Sequence, residues 1–138
     1  MKKLFVSVPM EGRTEEEIKT SIQKMKKIAE IYEGEELELI DSYIEDNPPK
    51  DSKEAVWYLG ESLKKLAQAD VFIGICESYD WNGCYIERKT AERYGVKMHM
   101  IFAEGIINNY DKYVEETLGI TSSSLELKSC SCSIESYL

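Results

Sequence analysis

Histidine is nearly absent from this chain, with His99 the single example, and positive charge is in short supply. Lys and Arg total 17 against 26 Asp and Glu, a formal net charge of −9. That balance argues against broad binding to nucleic acid or a membrane surface, both of which call for a basic face. Small anionic ligands stay open, because a single local loop can hold one. Apolar runs are too short to cross a bilayer. The four cysteines, Cys76, Cys84, Cys130 and Cys132, form no Cys-x-x-Cys pair. With one histidine beside them, a zinc site is not expected, and no metal or organic cofactor is implied. Cys130 and Cys132 stand too close in sequence for an easy mutual disulfide, so all four are read as reduced thiols. Met1-Lys2-Lys3 leads straight into a short apolar strand rather than a long apolar signal region. The expectation is a cytoplasmic protein.

What is present fits one domain with a single core: 138 residues, 43% hydrophobic and 31% charged. The pattern predicts strands over 3–8, 37–40, 70–75 and 97–102. Helices are predicted over 14–32, 54–68 and 84–94, with a short last one over 111–118. Thr14 and Glu17 have capping-box spacing, Ile18, Ile22, Met25, Ile28, Ala29 and Tyr32 share one helical face, and Gly34 closes the helix. On the second helix Val56, Leu59, Leu63, Leu66 and Ala67 are expected to face inward. The alternation βαβαβαβα implies right-handed crossovers. The predicted fold class is therefore α/β, a single-domain flavodoxin- or Rossmann-like sandwich with a mostly parallel sheet of four or five strands, covered on both faces. Residues 1–120 form the predicted domain. Residues 121–138 read as a separate tail: an edge strand, a disordered segment or, preferred, an ordered arm onto a neighbour.

Open α/β sheets bind ligands outside the carboxyl ends of their strands. Four segments reach that edge. The first, after strand one, contains Ser7, Met10, Gly12 and Arg13. Backbone N–H groups there can cradle an anion, and Arg13 can pair with phosphate; the bland alternative is a tight turn with a surface arginine. Asp41 and Ser42 end strand two, where Asp41 either touches a ligand or caps the next turn. The third segment, Tyr79-Asp80-Trp81-Asn82-Gly83-Cys84-Tyr85-Ile86-Glu87, follows the apolar run Val71-Phe72-Ile73-Gly74-Ile75. Glu87 is expected in the first helical turn, where the helix N-terminus would keep it ionised and make it a candidate nucleophile. Alternatively it is a solvent-facing glutamate. Trp81 is the preferred aromatic surface for stacking on a ligand, with Trp57 and Tyr58 read as packing residues. Asn108 and Asn109 follow strand four.

Three stretches together resemble the nucleoside 2-deoxyribosyltransferase superfamily, most closely its small phage and bacterial branch. They are Phe5 to Thr14, Trp57 to Leu63 running into Ala69-Asp70-Val71, and Gly83-Cys84-Tyr85-Ile86-Glu87 followed by Ala91 and Gly95. The resemblance covers residues 3–102. It implies that Glu87, in a Gly-x-x-x-Glu position that includes Gly83, attacks the sugar C1′ while the base leaves. Asp80 would orient it, bind sugar hydroxyls or protonate the leaving base. Glu61 falls near a base-contacting acid of the transferases, although an exposed helix charge is the simpler reading. Asn109 corresponds to an asparagine supplied by a partner subunit, so a homo-oligomer, dimer or higher, is implied. The opening loop looks more like the enzymes that hydrolyse nucleoside 5′-monophosphates. Cys84-Tyr85 and Arg88 depart from the pattern, which has small or apolar residues there. The expected partner is a nucleoside or nucleotide, cleaved by hydrolysis or base transfer. The alternatives are a protein of the same fold that binds or sequesters a nucleotide without turnover, and an assembly protein working through its acidic surface and tail.

Overall fold

A computed structural model describes residues 1–103 and 106, the side chain at position 80 excepted. The predicted helix over 111–118, the tail, Asn108, Asn109, Cys130 and Cys132 lie outside the described residues. Within them the chain runs β1 (Lys3–Val6), α1 (Glu15–Glu33), β2 (Glu38–Leu39), α2 (Glu54–Leu66), β3 (Val71–Ile75), a 3-10 turn (Ser78–Asp80), α3 (Asn82–Arg93) and β4 (Lys97–Ile101). The strands form one all-parallel sheet in the order β2-β1-β3-β4. This is the flavodoxin-like arrangement the alternation implied.

Period-two alternation sorts the strand side chains onto two faces. Leu4, Val71, Ile73, Ile75 and Ile101 pack with Met25, Ile28 and Ala29 of α1. Phe5, Phe72 and Met100 point the other way, against Leu66 of α2 and Ala91 of α3. Strand β3 is buried along its whole length. The α1 termini follow from local chemistry. Thr14 Oγ1 accepts from the Glu17 N–H at 3.1 Å while Glu17 Oε1 accepts from the Thr14 N–H at 2.9 Å, the reciprocal capping box. Gly34 adopts φ 72° and donates to the Glu30 carbonyl at 2.8 Å, ending the helix.

Three expectations about elements need correction. Strand β1 stops at Val6 and β2 has only two residues, so the sheet is shorter than the apolar runs suggested. On α2 only Leu66 is fully buried; Val56 is 63% exposed and Ala67 is also exposed. The first two turns of the helix are largely exposed, and its contact with the core is made by Leu63 and Leu66. Cys76 is disulfide-bonded, not a reduced thiol, whereas Cys84 is free.

At the amino edge of the sheet a buried carboxylate ties α1 to β4 and to Lys2, just before β1. Glu33 accepts from His99 Nε2 at 2.6 Å and from Lys97 Nζ at 2.9 Å, and Lys2 Nζ lies 3.3 Å away. Its side chain is 1% exposed. The His99 hydrogen bond, then that of Lys97, outweigh burial and bring its pKa down from 4.5 to about 2. Because the folded-state value is depressed, the stabilisation is present above about pH 4.5 and is lost as pH falls toward 2. Glu33→Gln should therefore lose about 2 kcal/mol at neutral pH, and its deficit against the native protein should close between pH 4.5 and 2 in denaturant titrations.

Gly74 supplies a steric test of the second layer. A Cβ there would sit 2.6 Å from Phe72 Cε1 and 3.4 Å from Met100 Cε. Phe72 is fully buried and stacked on Phe5 with centroids 5.9 Å apart, so its ring has nowhere to retreat. Gly74→Ala is expected to cost about 1–3 kcal/mol in chemical denaturation.

Candidate functional site

The strand order reverses between β1 and β3. The crossover from β1 leads to β2 on one side, and that from β3 leads to β4 on the other. Such a switch point opens a crevice at the carboxyl edge. Ser7 sits there, just past β1, with its N–H donating to the Ile73 carbonyl at 2.9 Å. Alternation continues one residue beyond the strand, so Ser7 faces α2 and α3 with Phe5 and is 2% exposed.

Glu87 meets it from α3. Ser7 Oγ donates to Glu87 Oε1 at 2.8 Å, and Ser62 Oγ of α2 donates to Glu87 Oε2 at 2.5 Å. One carboxylate thus joins three elements that are distant in sequence. Its pKa is raised above the ordinary 4.5 because burial disfavours the charge, and the Ser62 and Ser7 hydrogen bonds oppose that only in part. Cys84 precedes Glu87 by one helical turn and is buried. Burial first, and the Glu87 charge second, push its thiol up to about 12, so it is no thiolate nucleophile at neutral pH.

Two expectations for Glu87 change. Helix α3 begins at Asn82 and not at Cys84, so Glu87 stands in the second turn. The field of a helix N-terminus fades within the first turn, and the two hydroxyl donors favour the charged form only in part against burial. Nor is Glu87 solvent-facing: both oxygens are engaged and burial dominates its acidity.

The other predicted residues are distributed around this point. Asp80 lies in the 3-10 turn before α3. Trp81 is the residue before the helix and packs, half-buried, against the α1-side core. Gly83 is exposed on the first turn of α3 with open space where a Cβ would sit. Glu61 neighbours Ser62 on α2 and pairs with Lys64 at 3.3 Å. Asp41 is exposed beyond edge strand β2, and its Oδ1 accepts from the Tyr43 N–H at 2.9 Å, closing a turn. In the opening loop Met10 is 48% exposed and Gly12 takes φ 74°. Arg13 is folded onto its own segment. Nη1 donates to the Pro9 carbonyl at 3.0 Å, and Nη2 to the Glu17 carbonyl at 3.2 Å and to Ser21 Oγ at 2.6 Å. Asn109 lies outside the described residues. The sequence reading missed Ser62, a hydroxyl whose partner is supplied by another helix.

Among the described residues no group of three or more His, Cys, Asp or Glu side chains is placed to hold a metal ion, and no helix is long and apolar enough to cross a membrane. A carboxylate held by two hydroxyls at a crevice can act as a nucleophile, a base or an acceptor for ligand hydroxyls. No family model and no curated protein matches the chain. Among solved structures it is similar to a conserved protein from Enterococcus faecalis V583, with a TM-score of 0.52 and 11% identity, over 88% of this chain and 79% of that one. At that identity the likeness speaks for the fold alone.

The raised pKa of Glu87 makes a prediction that needs no substrate. A carboxyl whose folded-state pKa lies above its unfolded value favours folding most at low pH, and that contribution is lost as pH rises through the folded pKa. Glu87→Gln, which keeps the shape and removes the charge, should unfold at a higher temperature than the native protein at pH 8. The difference should vanish below about pH 4.5. Calorimetric scans at the two pH values decide it, and an equal shift at both would refute burial of the charge as the cause.

Proposed function

We propose that this protein cleaves the N-glycosidic bond of a nucleoside or nucleoside 5′-monophosphate, with Glu87 as nucleophile. The observation that carries the reading is the Glu87 carboxylate at the switch-point edge, oriented by Ser7 and Ser62 on its two oxygens. The resemblance of the three sequence segments to the nucleoside 2-deoxyribosyltransferase superfamily supplies the reaction class.

The chemistry is a double displacement. A Glu87 oxygen bonds to C1′ as the bond from C1′ to the base nitrogen breaks, and the electron pair leaves with the base. Asp80 donates the proton the base needs. Water, or a second base, then attacks C1′ from the vacated side and frees the carboxylate. Charge spreads over the sugar ring in each transition state, so an anion fixed beneath it lowers both barriers. Ser7 and Ser62 hold the carboxylate without neutralising it, and each oxygen keeps a lone pair for carbon. The opening loop with Met10 and Gly12 receives the 5′ side, Trp81 borders the base, and a homo-oligomer completes the site through Asn109.

A second reading rests on the same hydrogen bonds. Since both Glu87 oxygens already accept from hydroxyls, the site also suits a ligand whose own hydroxyls replace those of the serines. That describes a nucleotide-binding protein without turnover.

Chromatography of free base separates the two. Across a panel of nucleosides and 5′-monophosphates, with and without an acceptor base, the native protein should release base. Glu87→Gln should reduce kcat by about three orders of magnitude or more. Activity should fall on the acid side of the raised Glu87 pKa, because only the ionised form attacks. Calorimetric binding with the nucleotide recovered intact supports the second reading instead.

A further inference from the structure

Successive residues on a helix project about 100° apart. On α3 this sends Glu87 toward β1 and α2, and sends Arg88 back toward the segment that follows β3. Arg88 is 2% exposed. Its Nη1 donates to the Cys76 carbonyl at 2.8 Å and to Ser78 Oγ at 3.1 Å, and its guanidinium carbon lies 5.9 Å from the centroid of the Tyr85 ring. Arginine is seldom this buried and cannot shed its charge, so its burial has to be matched by directed acceptors.

The acceptors are informative. Cys76 follows β3, and its N–H donates to the Ile101 carbonyl at 2.9 Å, fixing it to β4. Ser78 is 1% exposed and opens the 3-10 turn. Its carbonyl accepts from the Trp81 N–H at 2.9 Å, and the Trp81 carbonyl accepts from the Tyr85 N–H at 2.8 Å. Residues 76–81 are thus bonded to the sheet at one end and to α3 at the other. Arg88 holds the middle, from the position next to Glu87.

We propose that Arg88 is a positioning residue of the Glu87 site. It fixes the connection from β3 to α3, and with it the turn bearing Asp80, against the helix that carries the carboxylate. The kinetic consequence rests on the glycosidase reading above; the structural one does not. Lysine is no substitute here, since it offers one nitrogen on a flexible stem where arginine offers a rigid fork.

Hydrogen exchange and base-release kinetics on full-length Arg88→Lys and Ser78→Ala test this. In Arg88→Lys the Trp81 amide should exchange about tenfold faster or more, while the Phe72 and Ile73 amides of the central strand keep their native rates. Base release should fall about 10–100-fold in kcat, with KM changed far less, as expected of misplaced rather than missing groups. An unchanged Trp81 amide overturns the proposal. So does acceleration of every amide by one common factor, which marks a merely global contribution to stability. Should Arg88→Lys fail to fold, Ser78→Ala removes one acceptor, leaves the guanidinium, and is judged by the same exchange comparison. A native protein that releases no base would sink the glycosidase reading, and Trp81 exchange would still decide the role of Arg88.

Discussion

The pairing of β1 with β3 is the constraint on which the remaining architecture depends. Its register sets Leu4 beside Val71, Phe5 beside Phe72 and Val6 beside Ile73, and the Ser7 N–H extends the ladder to the Ile73 carbonyl. Parallel strands cannot be joined by a tight turn, so each needs a helical crossover, and both sheet faces become covered. The same register places Ser7 at the end of a central strand and on the α2–α3 side. A slip of one residue would turn Ser7 toward α1 and Leu4 away from it, losing the core layer and the carboxylate contact together.

Two glutamates, at opposite edges of the sheet, show what different surroundings make of one side chain. Glu33 is buried among His99, Lys97 and Lys2, and its acidity is strengthened to a pKa of about 2. It is an anion at every physiological pH and works as a clamp between α1 and β4. Glu87 is held by two neutral hydroxyls, and burial weakens its acidity. Hydroxyls orient a carboxylate without cancelling its charge. Opposite pKa directions thus follow from opposite partners, cations for Glu33 and neutral hydroxyls for Glu87.

Features governed by neighbours in sequence were legible in the sequence. The capping box at Thr14, the stop at Gly34 and the wholly apolar β3 rest on local rules, and the element order followed from them. The sequence places the start of α3 two residues late because the capping position is held by Trp81, which makes no side-chain capping bond, and not by Ser, Thr, Asp or Asn. For Arg13 the sequence leaves a phosphate ligand and a surface arginine open, and the structure adds its bonds to the Pro9 carbonyl, the Glu17 carbonyl and Ser21. Its partners at Glu17 and Ser21 follow helical spacing and were visible in principle. Ser62 was not. A serine on an amphipathic helix carries no mark of its purpose when its partner lies 25 residues further on, and only the packing of α2 on α3 brings the two together.

Helix α3 argues for a role beyond covering the sheet. A helix that serves only as cover gains most by presenting apolar residues to the layer beneath it. The fully buried positions of α3 are Cys84, Arg88, Ala91 and Glu92, and Glu87 is engaged between them. Ionisable groups removed from water cost several kcal/mol each unless well compensated, and compensation here needs Ser7, Ser62, Ser78 and a backbone carbonyl in fixed places. Apolar replacements would give a more stable helix with far less demand on its surroundings. Local rules are broken in this way where a site requires it. The concentration of buried polar chemistry on the one helix that borders the switch point is therefore the strongest physical argument that the function resides there.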